Sequence, residues 1–365
     1  MKKINWFEPK INNLDYNILR STFKNNFISE GKVTSFLEKK IAKFLKIKNV
    51  VMTSSGTSAL YLALRSLNIS QKDEVILPNI TYVATLNAVK LTGAKPVLAD
   101  VNKSTSLLDL SEIKKKISKK TKAIIFVHIS GRAGNFDEIL KFAKLKKIKI
   151  IEDAAEAFGS KYENKRIGTF GDLGCFSFTP TKIITSGQGG AVVSNNKRLT
   201  NQIRNLKDQG RTVKKVGGDD RHDLFGGNFK FNDILAAVLI PQILKINNLL
   251  SKAKKINNFY RKKLKNIKEI EFYEKAKGEI CIWTEIKADK RDQLFNFLLS
   301  KNIKCRKIWK PLSSFKHVQN IHKMSNSYSI SKKVLWLPSG LDLTGKELKK
   351  ICSQIKKFYK LKNQK

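Results

Sequence analysis

From about residue 48 onward, short unbroken apolar runs alternate with stretches in which apolar residues recur every three or four positions. The runs at 48–53, 74–77, 96–101, 123–129 and 149–152 read as strands. The stretches 58–67, 82–91, 110–117 and 136–146 between them read as helices. Strands apolar on both faces must be covered on both faces. Such strands alternating with helices imply a mainly parallel sheet joined by right-handed crossovers.

The rhythm changes after about residue 170. Strands at 174–178 and 190–194 flank a Gly/Thr/Ser loop, which suggests a hairpin-like excursion. A helix is expected at 200–209, and 210–227, rich in Gly and Asp with no period, reads as a long functional loop. One long helix is expected over 232–264, broken near Pro241. The remainder predicts strands near 267–273, 280–286 and 304–308 and helices at 290–301 and 345–359, a smaller α+β unit. The expected division is a large domain, 1–245, and a small C-terminal domain, 246–365, and 365 residues are enough for two.

A formal net charge of +42 raises the question of polyanionic partners. Lysine supplies 61 of the 72 basic residues, spread over the whole chain. Readers of nucleic-acid sequence lean on the rigid fork of arginine, so the pattern favours compositional bias and no specific nucleic-acid partner. The Lys-rich tail 346–365 keeps open a protein that binds nucleic acid or a membrane surface on an enzyme fold. Against this, the spacing of Leu348, Ile351, Ile355 and Phe358 reads as the buried side of a terminal helix. No window approaches the ~18 apolar residues of a membrane span, and residues 1–13 lack the apolar run of a signal peptide. Cys175, Cys281, Cys305 and Cys352 have neither metal-ligand spacing nor a disulfide framework, so a reduced, cytoplasmic protein without a metal is expected.

Three segments carry candidate chemistry. Ser54-Ser55-Gly56-Thr57-Ser58-Ala59 joins a strand to a helix. Unpaired N–H groups and the helix dipole make such a start a phosphate cradle, although an ordinary Ser/Thr cap has the same spelling. Ile150-Ile151-Glu152-Asp153-Ala154-Ala155-Glu156-Ala157 ends a buried strand in carboxylates, at the sheet edge where α/β folds bind ligands. Such an acid can hold Mg²⁺, a ribose or a protonated ring nitrogen, or merely cap a helix. In Gly174-Cys175-Phe176-Ser177-Phe178-Thr179-Pro180-Thr181-Lys182, followed by a Gly-rich stretch to Gly190, one lysine stands among small uncharged residues. An amine lifted out of water becomes a nucleophile towards carbonyls; the alternative is one more surface lysine.

In this order the three segments resemble the DegT/DnrJ/EryC1/StrS family of sugar aminotransferases. Further matches lie at 28–44, 78–101, 226–243 and 337–339. The resemblance implies an aspartate-aminotransferase-like fold (fold type I of the pyridoxal-phosphate enzymes), α/β, with a mainly parallel seven-stranded sheet in the large domain. It implies pyridoxal 5′-phosphate carried by Lys182, with Asp153 on the pyridine nitrogen and Gly56, Thr57 and Ser177 on the phosphate. Tyr82 would stack on the ring, and Asn228 would reach the phosphate from a partner subunit, making a homodimer with shared active sites. Glu156 stands where many members have a Gln that touches the ring hydroxyl. The EDAAEA spelling resembles the perosamine-synthase-like branch, which aminates C4 of a GDP-linked 4-keto-6-deoxymannose. Departures appear at the lysine loop, TPTKIITSGQGG, and at Ser313, where many members have a sugar-contacting His.

The implied reaction moves an amino group from an amino acid, glutamate, to a nucleotide-linked keto sugar. His128, Lys230, Trp309 and Ser313 are candidates for substrate contact. His128 ends a strand at the ligand edge, where a satisfied core histidine would also fit. Lys230 takes a place where relatives often have Arg. A keto acid or amino acid as substrate would instead call for an arginine clamp in the small domain, with Arg306 the candidate.

Overall fold

The computed structural model describes residues 3–9, 11, 16–24, 28–214, 218–318 and 324–363. Its larger sheet has seven strands: β1 (Asn49–Thr53), β2 (Glu74–Pro78), β3 (Lys95–Ala99), β4 (Thr121–Val127), β5 (Lys149–Asp153), β8 (Leu173–Ser177) and β9 (Gly190–Ser194). A two-stranded ribbon of β6 (Lys161–Tyr162) and β7 (Lys165–Arg166) intervenes. The spatial order is β1-β9-β8-β5-β4-β2-β3. The pairs among β3, β2, β4, β5 and β8 are parallel, and β9 runs antiparallel to both β8 and β1. Every residue of β2, β8 and β9 is buried, as strands covered on both faces require.

The smaller sheet runs β10 (Ile270–Glu271), β11 (Thr284–Ala288), β13 (Val334–Leu337) and β12 (Arg306–Lys307), all antiparallel. Its central strand β13 divides its side chains by the two-residue period. Val334 and Trp336 join the core of the large sheet, while Leu335 and Leu337 join a second core with Leu298, Ile351 and Ile355. Helix Ile246–Leu264 likewise begins on the first core with Leu250 and ends on the second with Tyr260 and Leu264. Ile4 packs in the second core, its strand-like segment bonded to Asn302 and Lys304.

Several expectations shift. The long helix passes through Pro241 and breaks at Lys245, where the N–H turns back to Gln242 and the axis bends by 65° into Ile246–Leu264. Pro241 removes one N–H from a helix buried nearly all round, and packing carries the helix past the gap. The strand expected over 267–273 shrinks to two residues, and that over 280–286 moves to β11. β13 and the helix Ser325–Lys333 before it were not anticipated, because a four-residue apolar run carries no period. Helix Lys197–Leu206 starts three residues earlier than expected, since the Asn196 side chain accepts the N–H groups of Arg198 and Leu199. Within the long loop, whose residues 215–217 lie outside the described ones, Val213 bridges to Arg221, and Nδ1 of His222 contacts the Gln209 carbonyl at 2.9 Å. Leu348, Ile351, Ile355 and Phe358 of helix Gly345–Asn363 are buried, and no single helix among the described residues is long and apolar enough to cross a membrane.

Candidate active site

A cavity of about 370 Å³ opens at the carboxyl ends of β4 and β5, between the large sheet and the face of β13 that carries Trp336. Strand alternation selects what points into it. Val127 and its register partner Asp153 line the cavity, while Glu152 and His128, one residue away in each chain segment, turn to the opposite side.

Asp153 is buried and supported on both oxygens. Thr85 Oγ1 donates to Oδ2 at 2.7 Å and the Ala155 N–H to Oδ1 at 3.2 Å. Burial pushes this carboxyl above its ordinary value, against the opposing pull of Thr85, Ala155 and the Lys182 charge. Glu156 is also raised by burial, with the Lys182 charge opposing. Its Oε1 lies 3.5 Å from Lys182 Nζ and its Oε2 accepts the Ser130 N–H at 3.1 Å. Ser130 presents that N–H from a left-handed conformation, φ 51°, which non-glycine residues enter only where the surroundings impose it.

Lys182 closes a turn bonded to the Thr179 carbonyl at 3.0 Å. The following loop is fixed by Gln242, which receives the Thr185 N–H at 2.9 Å and donates to its carbonyl at 2.7 Å. The Lys182 amine lies 5.0 Å from the ring centre of Trp283. Across the cavity, helix Gly56–Ser66 starts with a reciprocal cap between Ser55 and Ser58. The N–H groups of Gly56 and Thr57, in its first turn, have no intrahelical acceptor. A Cβ on Gly56 would stand 2.8 Å from Ser177 Cβ, so only glycine allows the helix start and the end of β8 to form one cradle. Tyr82 is 54% exposed at the cavity mouth, its ring 6.3 Å from that of Trp309.

Of the residues singled out in the sequence, Gly56, Thr57, Tyr82, Asp153, Glu156, Ser177, Lys182 and Trp309 share this cavity. Four do not line it. His128 is fully buried, with Nδ1 3.0 Å from the Arg132 carbonyl and Nε2 3.0 Å from Glu152, so neither nitrogen is free for substrate. Ser313 is held to Asn79 at 3.0 Å. Lys230 pairs with Asp208 at 2.9 Å in a separate basic groove that also holds Lys207 and Arg211. Asn228 is exposed beside Asp208, away from this chain's own cavity. Sequence reasoning missed Thr85, Trp283 and Trp336, and placed Arg306 only conditionally. Thr85 falls four residues after Thr81, to which it is hydrogen-bonded at 2.9 Å, a helical spacing that could have flagged it. For Trp283 and Trp336 the one available signal is rarity, since Trp6, Trp283, Trp309 and Trp336 are the chain's four tryptophans.

A buried carboxylate, an amine beside it and a helix start with free N–H groups form the donor set that a pyridine nitrogen, an aldehyde and a phosphate require. The Gly56–Ser177 cradle leaves room for the phosphate, so these residues fit pyridoxal phosphate. Fold and donor set together define a pyridoxal-phosphate-dependent enzyme of the aspartate-aminotransferase architecture. Comparison with known proteins is more specific: the chain belongs to the DegT/DnrJ/EryC1/StrS aminotransferase family, whose model matches residues 9–356. It is 33% identical to a GDP-perosamine synthase of Escherichia coli O157:H7, over 98% of this chain and 99% of that one. It is 30% identical to a UDP-4-amino-4,6-dideoxy-N-acetyl-beta-L-altrosamine transaminase of Campylobacter jejuni (serotype O:23/36), over 98% and 99%. In fold it superposes on Helicobacter pylori PseC, an aminotransferase of pseudoaminic acid biosynthesis, with a TM-score of 0.92 at 24% identity, covering 98% and 99%. The Streptococcus pneumoniae protein Spr1654, in its PLP form, gives 0.92 at 23% identity over 98% of each chain.

Proposed function

We propose that this chain transfers an amino group from L-glutamate to C4 of a nucleotide-linked 4-keto-6-deoxyhexose, in the manner of a GDP-perosamine synthase. The observation that carries the reading is the Lys182 amine, 12% exposed, in one cavity with the buried Asp153. Full-length similarity to GDP-perosamine synthases supports the sugar substrate.

Pyridoxal phosphate, when bound, supplies an electron sink for the bonds of the reacting carbon. Asp153 would hold the proton on the ring nitrogen, and its burial makes that pairing strong. Gly56, Thr57 and Ser177 would hold the phosphate at the helix start. Tyr82 would cover the ring and keep water from its open face. Lys182 would hold the cofactor and then act as acid and base, taking the proton from the donor's α-carbon and returning one at the acceptor. Glu156, next to this amine, orients it. Asn228 lies outside its own cavity, which supports a homodimer in which each copy completes the other's phosphate site. We read residues 1–245 as the cofactor-binding unit and 246–365 as the small unit, and we place the enzyme in the cytoplasm, where nucleotide sugars are made.

The test supplies glutamate and GDP-4-keto-6-deoxymannose to the purified protein and follows the amino sugar by mass spectrometry. Lys182→Ala is expected to abolish both turnover and the absorbance band of the lysine-linked cofactor. Amination of keto acids but of no keto sugar would refute the substrate reading. A Lys182→Ala protein that retains both signals would refute the role of the amine.

A further inference from the structure

We propose that Trp283 is the residue that positions Lys182, holding the root of its side chain through the indole N–H and its tip through the indole face. The inference rests on the aminotransfer reading above and adds to it the device that aims the amine.

The chain enters Lys182 through the peptide unit shared with Thr181. A peptide unit is planar, so pairing both of its polar groups fixes the plane from which the next side chain departs. Both groups are paired here. The Lys182 N–H donates to the Thr179 carbonyl at 3.0 Å, a bond within the loop. The Thr181 carbonyl accepts the Trp283 indole N–H at 3.2 Å, a bond from the residue just before β11 of the small sheet. The same ring meets the other end of the side chain, since the Lys182 amine lies 5.0 Å from its centre. An indole face holds an ammonium through its π density. The lysine stem is long and flexible, and ordering it is costly in entropy. One residue restrains it at both ends.

Trp283 is itself fixed. It is 2% exposed and packs on Trp6 at 5.0 Å and on Trp336 at 4.9 Å between ring centres. The other tryptophans of the cavity spend their N–H groups elsewhere or not at all. That of Trp336 goes to Glu285 at 2.6 Å, and that of Trp309 is buried without a partner among the described residues. Gln242 secures the loop farther on, at Thr185. The proposed reaction needs such aiming, because one amine serves the reacting carbons of donor and acceptor in turn. A misplacement of about 1 Å costs on the order of a hundredfold in rate.

Two variants separate the two holds. Trp283→His keeps a ring N–H, since the five-membered rings of imidazole and indole place it alike, and loses the benzene ring. Trp283→Phe keeps a six-membered π face and loses the N–H. Tyr260→Phe is the control for stability alone, because it deletes one bond from a buried aromatic to the Pro338 carbonyl in the second core. Amide hydrogen exchange of cofactor-free protein reads the root. Residues 179–185 are expected to exchange about two- to tenfold faster in Trp283→Phe, the worth of one hydrogen bond, and at the wild-type rate in Trp283→His and Tyr260→Phe. Single turnovers of the loaded enzyme with glutamate and α-deuterated glutamate read the aim of the amine. Each Trp283 variant loses one hold, so both are expected to slow on the order of ten- to a hundredfold, with a larger isotope effect. Half-saturating glutamate is expected to stay within about threefold of wild type, and Tyr260→Phe to match wild type throughout. Trp283→Phe that exchanges in this loop no faster than Trp283→His or Tyr260→Phe overturns the inference alone. So does a loss that falls on the half-saturating concentration or is shared by Tyr260→Phe. Wild-type protein that takes up no pyridoxal phosphate overturns the aminotransfer reading, while the exchange comparison still decides how the loop is anchored.

Discussion

Replacing Asp153 by asparagine separates what this residue does for the reaction from what it does to the fold. The substitution preserves volume and deletes the charge. The side chain is 6% exposed, so the pairing proposed for it with a protonated ring nitrogen would take place out of water. Removing one member of such a buried pair costs about 3–5 kcal/mol, or a factor of roughly 10² to 10⁴ in rate if the whole amount appears in the transition state. The effect on the protein without cofactor has the opposite sign. Burial holds the Asp153 carboxyl above its ordinary 3.8, so the folded state keeps a proton that the unfolded chain has already released. Stability conferred by this residue therefore declines as pH rises from the ordinary aspartate range through the raised folded value. Asparagine removes the decline. It also keeps the local bonds, since its Nδ2 can donate to Thr85 Oγ1 while that hydroxyl donates to Thr81. The assays are single-turnover absorbance with glutamate and melting of cofactor-free protein at pH 5 and pH 8. The expected results are a rate loss in the stated range and a higher melting temperature for Asp153→Asn at pH 8 than for wild type. A rate within tenfold of wild type, or a lower melting temperature at pH 8, would refute the reasoning.

Two other predictions concern charges away from the reacting groups. Arg132 is buried, with Nη2 2.9 Å from Glu285 Oε2 and its guanidinium 4.0 Å from the Tyr273 ring centre, and Glu285 also accepts the Trp336 indole N–H at 2.6 Å. Arg132→Met is expected to destabilise by about 3–5 kcal/mol in urea unfolding, with most of that loss recovered in Arg132→Met/Glu285→Gln; equal losses in single and double variants would show the pair to be uncoupled. In the basic groove, burial pushes Asp208 up, but hydrogen bonds and charge from Lys230 and Lys214 outweigh it and hold the carboxyl at about 2 in place of 3.8. Its contribution to stability is then complete above the ordinary aspartate range and is lost as pH falls through about 2. Asp208→Asn is expected to flatten the acid limb of the stability curve, which denaturant melts between pH 2 and pH 5 would measure.

Much of the site was legible because its chemistry sits in short contiguous stretches. The strand ending in Asp153, the glycine turn at Gly56 and the lysine loop at Lys182 each announce themselves locally, and their order carries the family resemblance. His128 shows where that reading stops. A strand end at the ligand edge was read correctly, but the two-residue period sends its side chain to the far side of the sheet, towards Glu152, while Val127 faces the cavity. Pro241 shows the same limit in a helix, since packing against the core outweighs the local cost of a missing N–H.

Strand and helix periods and turn chemistry were properties of the chain read residue by residue, because they depend on neighbours a few positions apart, and the short motifs around Lys182 and Asp153 were legible in the same way, their proposed roles coming from the family resemblance. The tryptophan wall, the Thr85 support of Asp153 and the place of Arg306 in the cavity were not. They join residues 68 apart for Thr85 and Asp153 and 102 apart for Trp283 and Thr181, and bring Trp6 against Arg306 from the far end of the chain. The Thr85 contact forms when helix Val83–Leu91 packs at the end of β5, and the tryptophan and Arg306 contacts exist only once the small sheet docks its Val334–Trp336 face on the large core; no local period records either packing.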